Sequence, residues 1–380
     1  MKIVTIIGAR PQIIKAAAFS RAIRNNYPVE VEEIIVHTGQ HYDPNMSQVF
    51  IEQLEIEAPK YNLNAGSGAH GVQTAKMIQG IEEILLNENP NAIVLYGDTN
   101  STLAGAVAAS KLHIPIVHIE AGLRSFNKKM PEEVNRIMCD HVASMLFSPT
   151  GTGYQNLLRE GFQPNDSDIC NADHPKIYHC GDLMYDNSVY FGDKIGAGKY
   201  YLSKFGVDDE KYILCTIHRP QNTDDSQALE DIFLALLEVQ ANHHLKIVLP
   251  LHPRTKKLME VNLSDEVRQK VADNQDIILT DPANFLEVIA LEKNAEMLVT
   301  DSGGLQKEAY FFNKPCAILR PETEWTEIVA QGSAVLCGND KNMIVKACND
   351  LMSKEFDYPL LYGDGKAADF MIHEIVKYLK

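Results

Sequence analysis

Residues 2–15 read KIVTIIGARPQIIK, and this stretch decides the class of fold. The run KIVTII (2–7) is rich in β-branched residues and ends at Gly8, which predicts a strand followed by a turn. Pro11 suits the first turn of a helix. The apolar residues after it recur at helical spacing, at Ile13, Ile14, Ala17 and Ala18. A strand that leads directly into a helix is the repeating unit of a parallel sheet.

The same alternation of short apolar strands and helices continues along the chain. Further strands are predicted at 31–37, 92–96, 114–119, 145–148, 212–217, 246–250, 276–279, 297–300 and 315–319. Helices are predicted at about 71–88, 101–112, 225–241, 254–262, 284–292 and 304–312, with one that begins at Pro131 and a closing helix at 366–380. The pattern predicts an α/β protein with two doubly wound, Rossmann-like domains and a ligand cleft between them.

A polar stretch separates the two runs of alternation. Residues 163–176 read QPNDSDICNADHPK and are rich in Asn, Asp and Pro, which is typical of a linker or a surface excursion. The domain boundary is therefore expected here. The prediction assigns residues 1–172 with 366–380 to an N-terminal domain and residues 173–365 to a C-terminal domain.

The composition excludes several classes of protein. Among 380 residues, 35 Lys and Arg against 51 Asp and Glu give a formal net charge of −16, which argues against a general nucleic-acid binder. The seven Cys are scattered and form no Cys-x-x-Cys, which is typical of reduced thiols in a cytoplasmic protein and predicts no structural metal. The sequence has no apolar run of about 18 residues, so no membrane span is expected. Any anion must then be held by a few local cations.

Polar residues follow the strands of the first half, where doubly wound sheets bind their ligands. Arg10 and Lys15 flank the first turn of the helix after Gly8 and fit a phosphate, but an ordinary strand–helix turn explains them equally well. Asp98 follows the strand at 92–96 and fits either catalysis or a helix N-cap. The sequence leaves both alternatives open.

Two further acids lie near the next strand and helix. Glu120 follows the strand IPIVHI (114–119) and is either functional or in a structural ion pair with Arg124, because a buried carboxylate needs a partner. Glu132 stands in the first turn of the following helix, where acids favour a helix start. A Glu132–Arg136 pair on the surface is the simple alternative to a catalytic Glu132.

The second half carries its candidates after two strands. His218 follows the strand YILCTI (212–217) and is either functional or a core histidine. Glu308 would accept hydrogen bonds from sugar hydroxyls, and Arg320 ends a later strand. A helix begins with three small residues whose free N–H groups suit an anion: Ser302, Gly303 and Gly304. Together with the first-half residues, these groups fit a diphosphate and a proton transfer at one cleft.

Eight motifs, in order along the chain, resemble the bacterial non-hydrolysing UDP-N-acetylglucosamine 2-epimerase family. They are GARPQIIK (8–15), HTGQHYD (37–43), YGDTNST (96–102), HIEAGLRS (118–125), MPEEVNR (130–136), IHRPQNTD (217–224), TDSGGLQKEA (300–309) and LRPETEW (319–325). The resemblance covers essentially the whole chain. It implies a glycosyltransferase-B-like pair of Rossmann domains, UDP held mainly by the second domain, no cofactor and a homodimer.

The resemblance implies inversion of C2 in a UDP-sugar, from UDP-GlcNAc to UDP-ManNAc, for surface polysaccharide precursors. A base removes the C2 proton, UDP leaves C1 by anti elimination, and UDP adds back to the 2-acetamidoglucal after reprotonation on the other face. By motif, the acid and base candidates are Asp98, Glu120 and Glu132, with the face served by each left open. The motif residues implied for the diphosphate and ribose are His218, Arg10, Arg136, Ser302, Gly303, Gly304 and Glu308.

Some motifs depart from the best-known members of that family. GARPQ, QKEAY and ETEW stand in place of GTRPE, QEEAP and TTERP, and they resemble the subgroup that acts on UDP-2,3-diacetamido-2,3-dideoxy-glucuronic acid. In the family, a second UDP-GlcNAc contacts the QHYD segment, which matches Gln40 and His41, and an Arg at whose place this chain has His70. The exact UDP-sugar and activation by substrate are therefore open.

Other functions stay compatible with the sequence. A hydrolysing 2-epimerase would release UDP and N-acetylmannosamine, and a retaining glycosyltransferase of the same fold would need an acceptor. A catalytically silent nucleotide-sugar sensor is the alternative outside enzymes, and the presence of all three carboxylates and His218 argues against it.

Overall fold

The structure is a computed structural model that describes residues 1–40 and 51–380. The chain divides into two compact units, residues 1–187 with 360–380 and residues 188–359. The sequence-based boundaries stood at 172/173 and 365/366. Each unit is built on one fully parallel sheet.

The first unit contains a seven-stranded sheet in the order β3-β2-β1-β4-β5-β6-β7. The strands are β1 (Lys2–Ile7), β2 (Glu32–His37), β3 (Tyr61–Asn62), β4 (Ala92–Tyr96), β5 (Ile116–Ile119), β6 (Met145–Ser148) and β7 (Lys176–His179). Helices in the described residues of this unit include α1 (Arg10–Asn26), α2 (His70–Glu88), α3 (Asn100–Lys111), α4 (Pro131–Asp140), α5 (Gly151–Arg159) and α6 (Leu183–Lys194). The division between the units falls inside α6.

The core of this unit forms where helices cover both faces of the sheet. Every residue of β4 is buried, as expected for a central parallel strand. Helix α3 packs closely on β4 because its facing residues are small: a Cβ added to Gly105 would come 2.5 Å from Leu95 Cδ2. This packing fixes the turn between β4 and α3, where Asp98 lies.

The second unit contains a six-stranded parallel sheet in the order β10-β9-β8-β11-β12-β13. The strands are β8 (Tyr212–Thr216), β9 (Lys246–Pro250), β10 (Ile277–Thr280), β11 (Met297–Thr300), β12 (Cys316–Ile318) and β13 (Ala334–Leu336). The helices are α7 (Lys199–Leu202), α8 (Pro220–Thr223), α9 (Ser226–His243), α10 (Pro253–Asn262), α11 (Asp265–Asp273), α12 (Phe285–Asn294), α13 (Gly303–Phe311), α14 (Thr326–Gln331) and α15 (Lys341–Met352). The last helix, α16 (Ala367–Leu379), belongs to the first unit.

Strand order reverses beside the central strand of each sheet, between β1 and β4 and between β8 and β11. Doubly wound sheets place their ligand crevice at the carboxyl ends of such strands. Asp98 follows β4 within two residues, and His218 and Asp301 follow β8 and β11. The predicted fold class, two doubly wound parallel α/β domains, is confirmed. None of the helices in the described part of the chain is long and apolar enough to cross a lipid bilayer.

Candidate active site

A buried glutamine joins the β1–α1 and β4–α3 turns of the first unit, at the place where the strand order of its sheet reverses (the switch point). The Gln12 carboxamide oxygen accepts hydrogen bonds from the N–H groups of Gly8 and Ala9, at 2.9 and 3.1 Å. Its amide donates to the Tyr96 carbonyl and the Thr99 hydroxyl, at 2.9 and 3.0 Å. The amide uses both its donor and its acceptor capacity, so it locks the β1–α1 turn onto the β4–α3 turn.

The two cations predicted near this turn have different surroundings. Arg10 is exposed at the first position of α1. Lys15 is only 8% exposed, and its ammonium group forms an ion pair with the Glu120 carboxylate. Two candidates separated by 105 residues in sequence are therefore in direct contact.

Glu120 stands at the carboxyl end of β5 in a strained backbone conformation. Its φ of +73° lies in the left-handed region that residues other than glycine seldom adopt. The alternative pairing of Glu120 with Arg124 does not form within the described residues, because Arg124 bonds Asp140 and Glu160, both at 2.6 Å. Glu120 is thus held by Lys15 at the edge of the sheet where ligands bind.

Asp98 is not the N-cap of the following helix. That position belongs to Thr99, whose hydroxyl accepts from the N–H of Thr102. The Asp98 carboxylate instead meets the Arg136 guanidinium at 2.5 Å, and Asn135 donates to the Asp98 carbonyl at 2.9 Å. Helix α4 therefore supplies both groups that fix Asp98.

The adjacent glutamates of α4, Glu132 and Glu133, differ in burial and in hydrogen bonding. Glu132 is exposed, and Arg136 pairs with Asp98, so the Glu132–Arg136 surface pair is not seen in the described residues. Glu133 is buried and accepts hydrogen bonds from the backbone N–H groups of Ser125 and Phe126, at 2.8 and 3.1 Å. Glu133 fixes the loop before the helix, while Glu132 keeps an exposed carboxylate.

A fully buried histidine supports the loop that carries Asp98. His118 Nδ1 lies 2.7 Å from Asp140, and its Nε2 lies 2.8 Å from the Gly97 carbonyl. These two contacts fix the orientation of the ring between α4 and the loop that carries Asp98. Burial opposes the charge on Asp140, but hydrogen bonds and charges from His118 and Arg124 outweigh it and lower the pKa of Asp140.

Two of the three residues suggested for a second ligand contact the start of α3. The Gln40 carboxamide oxygen accepts from the N–H and hydroxyl of Ser101, at 3.1 and 2.7 Å. His70 Nδ1 accepts from the Asn100 amide at 3.0 Å. His41 lies outside the described residues. The role of these residues in activation stays a prediction.

In the second unit, His218 pairs with a buried aspartate. His218 Nδ1 lies 2.8 Å from Asp301, which is fully buried, while the His218 side chain is 45% exposed. Asp301 also accepts from the backbone N–H groups of His218 and Arg219, both at 2.9 Å. His218 is therefore not a core histidine, and Asp301 fixes the orientation of its ring.

The start of α13 offers uncapped N–H groups between two guanidinium groups. Ser302 occupies the N-cap position, but its side chain makes no capping hydrogen bond. A Cβ added to Gly303 would lie 3.7 Å from Arg320 Nη1 and 4.0 Å from Arg219 Nη2. Arg320 binds Glu324 in a bidentate pair, at 3.0 and 3.1 Å. Helix dipole and arginines make this end of α13 attractive to an anion.

Glu308 lies one turn into α13 and is buried beside a second carboxyl group. A Cβ on Gly304 would be 3.8 Å from Glu308 Oε2, so this carboxylate faces the helix start. Burial and the neighbouring Glu308 raise the pKa of fully buried Glu292 well above its usual range. The protonated form of Glu292 is therefore favoured beside Glu308.

Two residues that depart from the best-known family motifs contact each other in the structure. The Lys307 ammonium lies 4.3 Å from the Trp325 ring centroid, a cation–π contact. Trp325 Nε1 donates to the Gly303 carbonyl at 2.8 Å. The two altered positions, in QKEAY and ETEW, therefore act as one unit beneath the start of α13.

Sequence reasoning missed several residues that hold the candidates in place. Gln12, Asn135, Asp140, Arg219 and Asn222 all contact a candidate residue or its loop. Arg219 directly follows His218 in the IHR motif, so its position after a strand could have indicated a role at the site. The others act through hydrogen bonds between distant segments, which spacing along the chain does not reveal.

The two doubly wound units, with charged and small residues at the carboxyl ends of their central strands, define a glycosyltransferase-B-like α/β protein. Residues 22–377 match the family model described as UDP-N-acetylglucosamine 2-epimerase. The chain therefore belongs to the UDP-N-acetylglucosamine 2-epimerase family, and it is an isomerase by class. The predicted family is confirmed.

Relatives match the chain along its whole length. It is 46% identical over 379 residues to the UDP-2,3-diacetamido-2,3-dideoxy-D-glucuronate 2-epimerase of Pseudomonas aeruginosa, covering 99% of this chain and 100% of the relative. It is 40% identical over 376 residues to the UDP-N-acetylglucosamine 2-epimerase of Methanocaldococcus jannaschii, covering 98% of each. A crystal structure of the M. jannaschii enzyme in complex with UDP-GlcNAc and UDP aligns with a TM-score of 0.82 at 38% identity, covering 99% of both chains.

Proposed function

We propose that the chain is a non-hydrolysing epimerase that inverts C2 of a UDP-N-acetylhexosamine, converting UDP-GlcNAc into UDP-ManNAc. The reaction proceeds by elimination and re-addition of UDP through a 2-acetamidoglucal. The observation that carries the proposal is the placement of Asp98, Glu120 and His218 after β4, β5 and β8 in a chain of this family. The product would serve as a precursor of surface polysaccharide.

The first unit supplies the acid–base groups of the proposed reaction. The C2 proton is weakly acidic, so a positioned carboxylate has to take it as the C1–O bond breaks. Asp98 and Glu120 stand at neighbouring strand ends and are each oriented by a cation, Arg136 and Lys15. Glu132 is the third acid, with an exposed carboxylate on α4.

The second unit supplies the groups for the diphosphate. A leaving diphosphate needs preorganised positive charge and hydrogen-bond donors. Arg320, Arg219 and the uncapped start of α13 provide these within one unit. His218 adds an exposed imidazole, and Glu308 provides a carboxylate for ribose hydroxyls.

One assay tests the proposal. The protein is incubated with UDP-GlcNAc in deuterated water and followed by NMR. Deuterium at C2 of an intact UDP-sugar, with UDP-ManNAc formed, is the expected result. Free UDP in stoichiometric yield would replace the proposal by a hydrolysing epimerase. The absence of exchange with this substrate and the next one would indicate a nucleotide-sugar sensor.

A second substrate is favoured by one of the relatives. The 46% identity to the P. aeruginosa enzyme, over 99% of this chain, supports the same C2 inversion on UDP-2,3-diacetamido-2,3-dideoxy-D-glucuronate. The identity of 40% to the M. jannaschii enzyme supports UDP-GlcNAc. Comparing kcat/KM for the two UDP-sugars under the same conditions decides between them.

The proposal includes a homodimer. Light scattering coupled to size-exclusion chromatography measures this directly, with twice the chain mass of 42.4 kDa as the expected result. A mass of one chain at assay concentration would remove the dimer from the proposal without affecting the chemistry.

A further inference from the structure

Asp301 is the most heavily hydrogen-bonded carboxylate of the second unit's switch point. It lies directly after β11 and is fully buried. Its oxygens accept from the backbone N–H groups of His218 and Arg219 and from the Asn222 amide, at 2.9, 2.9 and 3.1 Å. His218 Nδ1 lies 2.8 Å from the same carboxylate. All these partners belong to the segment that follows β8.

This arrangement dictates which ring nitrogen of His218 carries a proton. An ionised carboxylate only accepts hydrogen bonds, so Nδ1 has to donate. Burial disfavours the charge on Asp301, but hydrogen bonds from His218 and the backbone outweigh it and lower the pKa of Asp301. Asp301 contacts only Nδ1, and the His218 side chain as a whole is 45% exposed.

We propose that Asp301 is a positioning residue, which holds His218 with Nδ1 protonated and stabilises the imidazolium, so that Nε2–H donates to the leaving diphosphate. The inference rests on the proposed function for its catalytic consequence. No bond to Asp301 changes during the reaction. Its part is to keep Nδ1 protonated and to fix the orientation of the ring before the negative charge develops on the diphosphate.

The substitution Asp301→Asn tests this directly. The backbone N–H groups of His218 and Arg219 continue to require the carboxamide oxygen, so the NH₂ group turns toward Nδ1. Nδ1 then becomes an acceptor and loses its proton, while Nε2 keeps its own. In ¹⁵N NMR spectra, with the His218 signals identified by their loss in His218→Ala, the protonated Nδ1 signal of the native protein is expected to shift to that of a bare nitrogen.

Kinetics then separate positioning from folding. We expect kcat of Asp301→Asn to fall by roughly 10²–10³-fold, because a neutral imidazole replaces the imidazolium that donates to the leaving diphosphate, with KM changed little. In a His218→Ala background, the same substitution should cost no more than about twofold further, because Asp301 acts through the imidazole. A merely structural role would lower activity equally in both backgrounds.

Asn222→Ala is the matched control. It removes one hydrogen bond from the same carboxylate at 3.1 Å without touching the ring. It should lower the melting temperature but keep Nδ1 protonated, and its kcat loss should be much smaller than that of Asp301→Asn. Equal kcat losses in the two variants would overturn the proposal.

Different experimental outcomes test the role of Asp301 and the proposed epimerase activity. A bare Nδ1 in the native protein, or equal losses in both His218 backgrounds, would overturn the role of Asp301. If neither UDP-sugar is epimerised, the proposed function fails, and the catalytic consequence fails with it. The ¹⁵N measurement needs no turnover and still decides whether Asp301 keeps Nδ1 protonated.

Discussion

Carboxylates at the strand ends of the first unit are each matched to one cation. Lys15 meets Glu120, and Arg136 meets Asp98 at 2.5 Å. In the proposed reaction, a proton taken up by either carboxylate removes the negative charge from its ion pair. The cation is then released for a new anionic partner, so proton transfer and charge stabilisation are linked in the same pair of side chains.

Asp98→Asn removes the proton acceptor while keeping the shape of the side chain. We expect UDP to bind nearly as well as to the native protein, because the groups around the start of α13 are unchanged. Exchange at C2 in deuterated water should be abolished. Calorimetric titration with UDP and NMR of the sugar measure the two effects. Native rates of exchange in this variant would remove Asp98 from the mechanism.

Gly303→Ala tests the anion site at the start of α13. The added Cβ would make only ordinary contacts, the nearest at 3.6 Å to Glu324, so the fold accommodates it. Alanine also favours a helix over glycine by about 1 kcal/mol, so the melting temperature should stay the same or rise. The methyl group occupies the space beside Arg219 and Arg320, and UDP affinity should fall at least tenfold by calorimetry. Unchanged affinity would place the diphosphate elsewhere.

The sequence predicts which residues stand at the candidate site better than it predicts their partners. Asp98, Glu120 and His218 are recognisable because each follows an apolar run, and chain direction then places each at the carboxyl edge of its own sheet. The sequence offered Arg124, four residues away, as one alternative partner of Glu120, whereas Lys15 of α1 forms the ion pair. Such pairings join segments that are far apart in the chain, which local spacing does not encode.

The Glu88 carboxylate links helix α2 to the strands β1 and β3. Glu88, near the end of α2, accepts from Lys2 of β1 at 3.1 Å. It also accepts from Lys60 and Tyr61, at 2.7 and 2.6 Å. These hydrogen bonds lower the pKa of Glu88 from 4.5 to about 2. The short edge strand β3 is thereby attached to a helix as well as to β2.

Glu88→Gln has an effect on stability that depends on pH. Because the folded-state pKa is depressed, the ionised carboxylate stabilises the fold above the unfolded-state pKa near 4.5. This contribution is lost as pH falls from about 4.5 to about 2. The variant should melt below the native protein at pH 7, and the difference should shrink toward pH 2.

The control for this experiment lies on the same helix. Glu83 is exposed and accepts one long hydrogen bond, from Gln79 at 3.3 Å. Glu83→Gln should change the melting temperature little at any pH. A difference for Glu88→Gln that stays constant from pH 7 to pH 2 would contradict the assigned role of its charge.

Long amphipathic helices and buried strands could be predicted closely, but short elements could not. The helix expected at about 71–88 is α2 (His70–Glu88), and the strand at 92–96 is β4. The strand β7 (Lys176–His179) follows the polar stretch and reads KIYH, too short and too polar for a hydrophobic pattern. It forms because β6 offers a free edge for pairing, a property of the sheet rather than of the segment.

At the scale of the whole molecule, the chain returns to its first unit at its end. Helix α16 buries Met371, Ile372 and Ile375 within that unit. Asp186 accepts from the first N–H groups of the helix, and Tyr178 of β7 donates to Glu374 at 2.8 Å. Helix α16 therefore completes the hydrophobic core of the first unit, which also contains β1 and α1.

Deletion of residues 367–380 should damage the first unit selectively. Each buried apolar side chain that is lost costs about 1.5–3 kcal/mol, so three of them are a large share of the stability of a domain. Hydrogen exchange read by mass spectrometry should show lost amide protection within residues 1–187 and retained protection within 188–359. Equal loss of protection in both units would show that they unfold together.

The return of the chain also sets an order during synthesis on the ribosome. The second unit is continuous, whereas the first lacks its last helix until residues 360–380 emerge. Translation at 5–20 residues per second needs roughly 10–35 s to pass through residues 188–359. During that interval the nascent N-terminal unit keeps the apolar surface for α16 uncovered, so the part made first is finished last and is the part that molecular chaperones would meet.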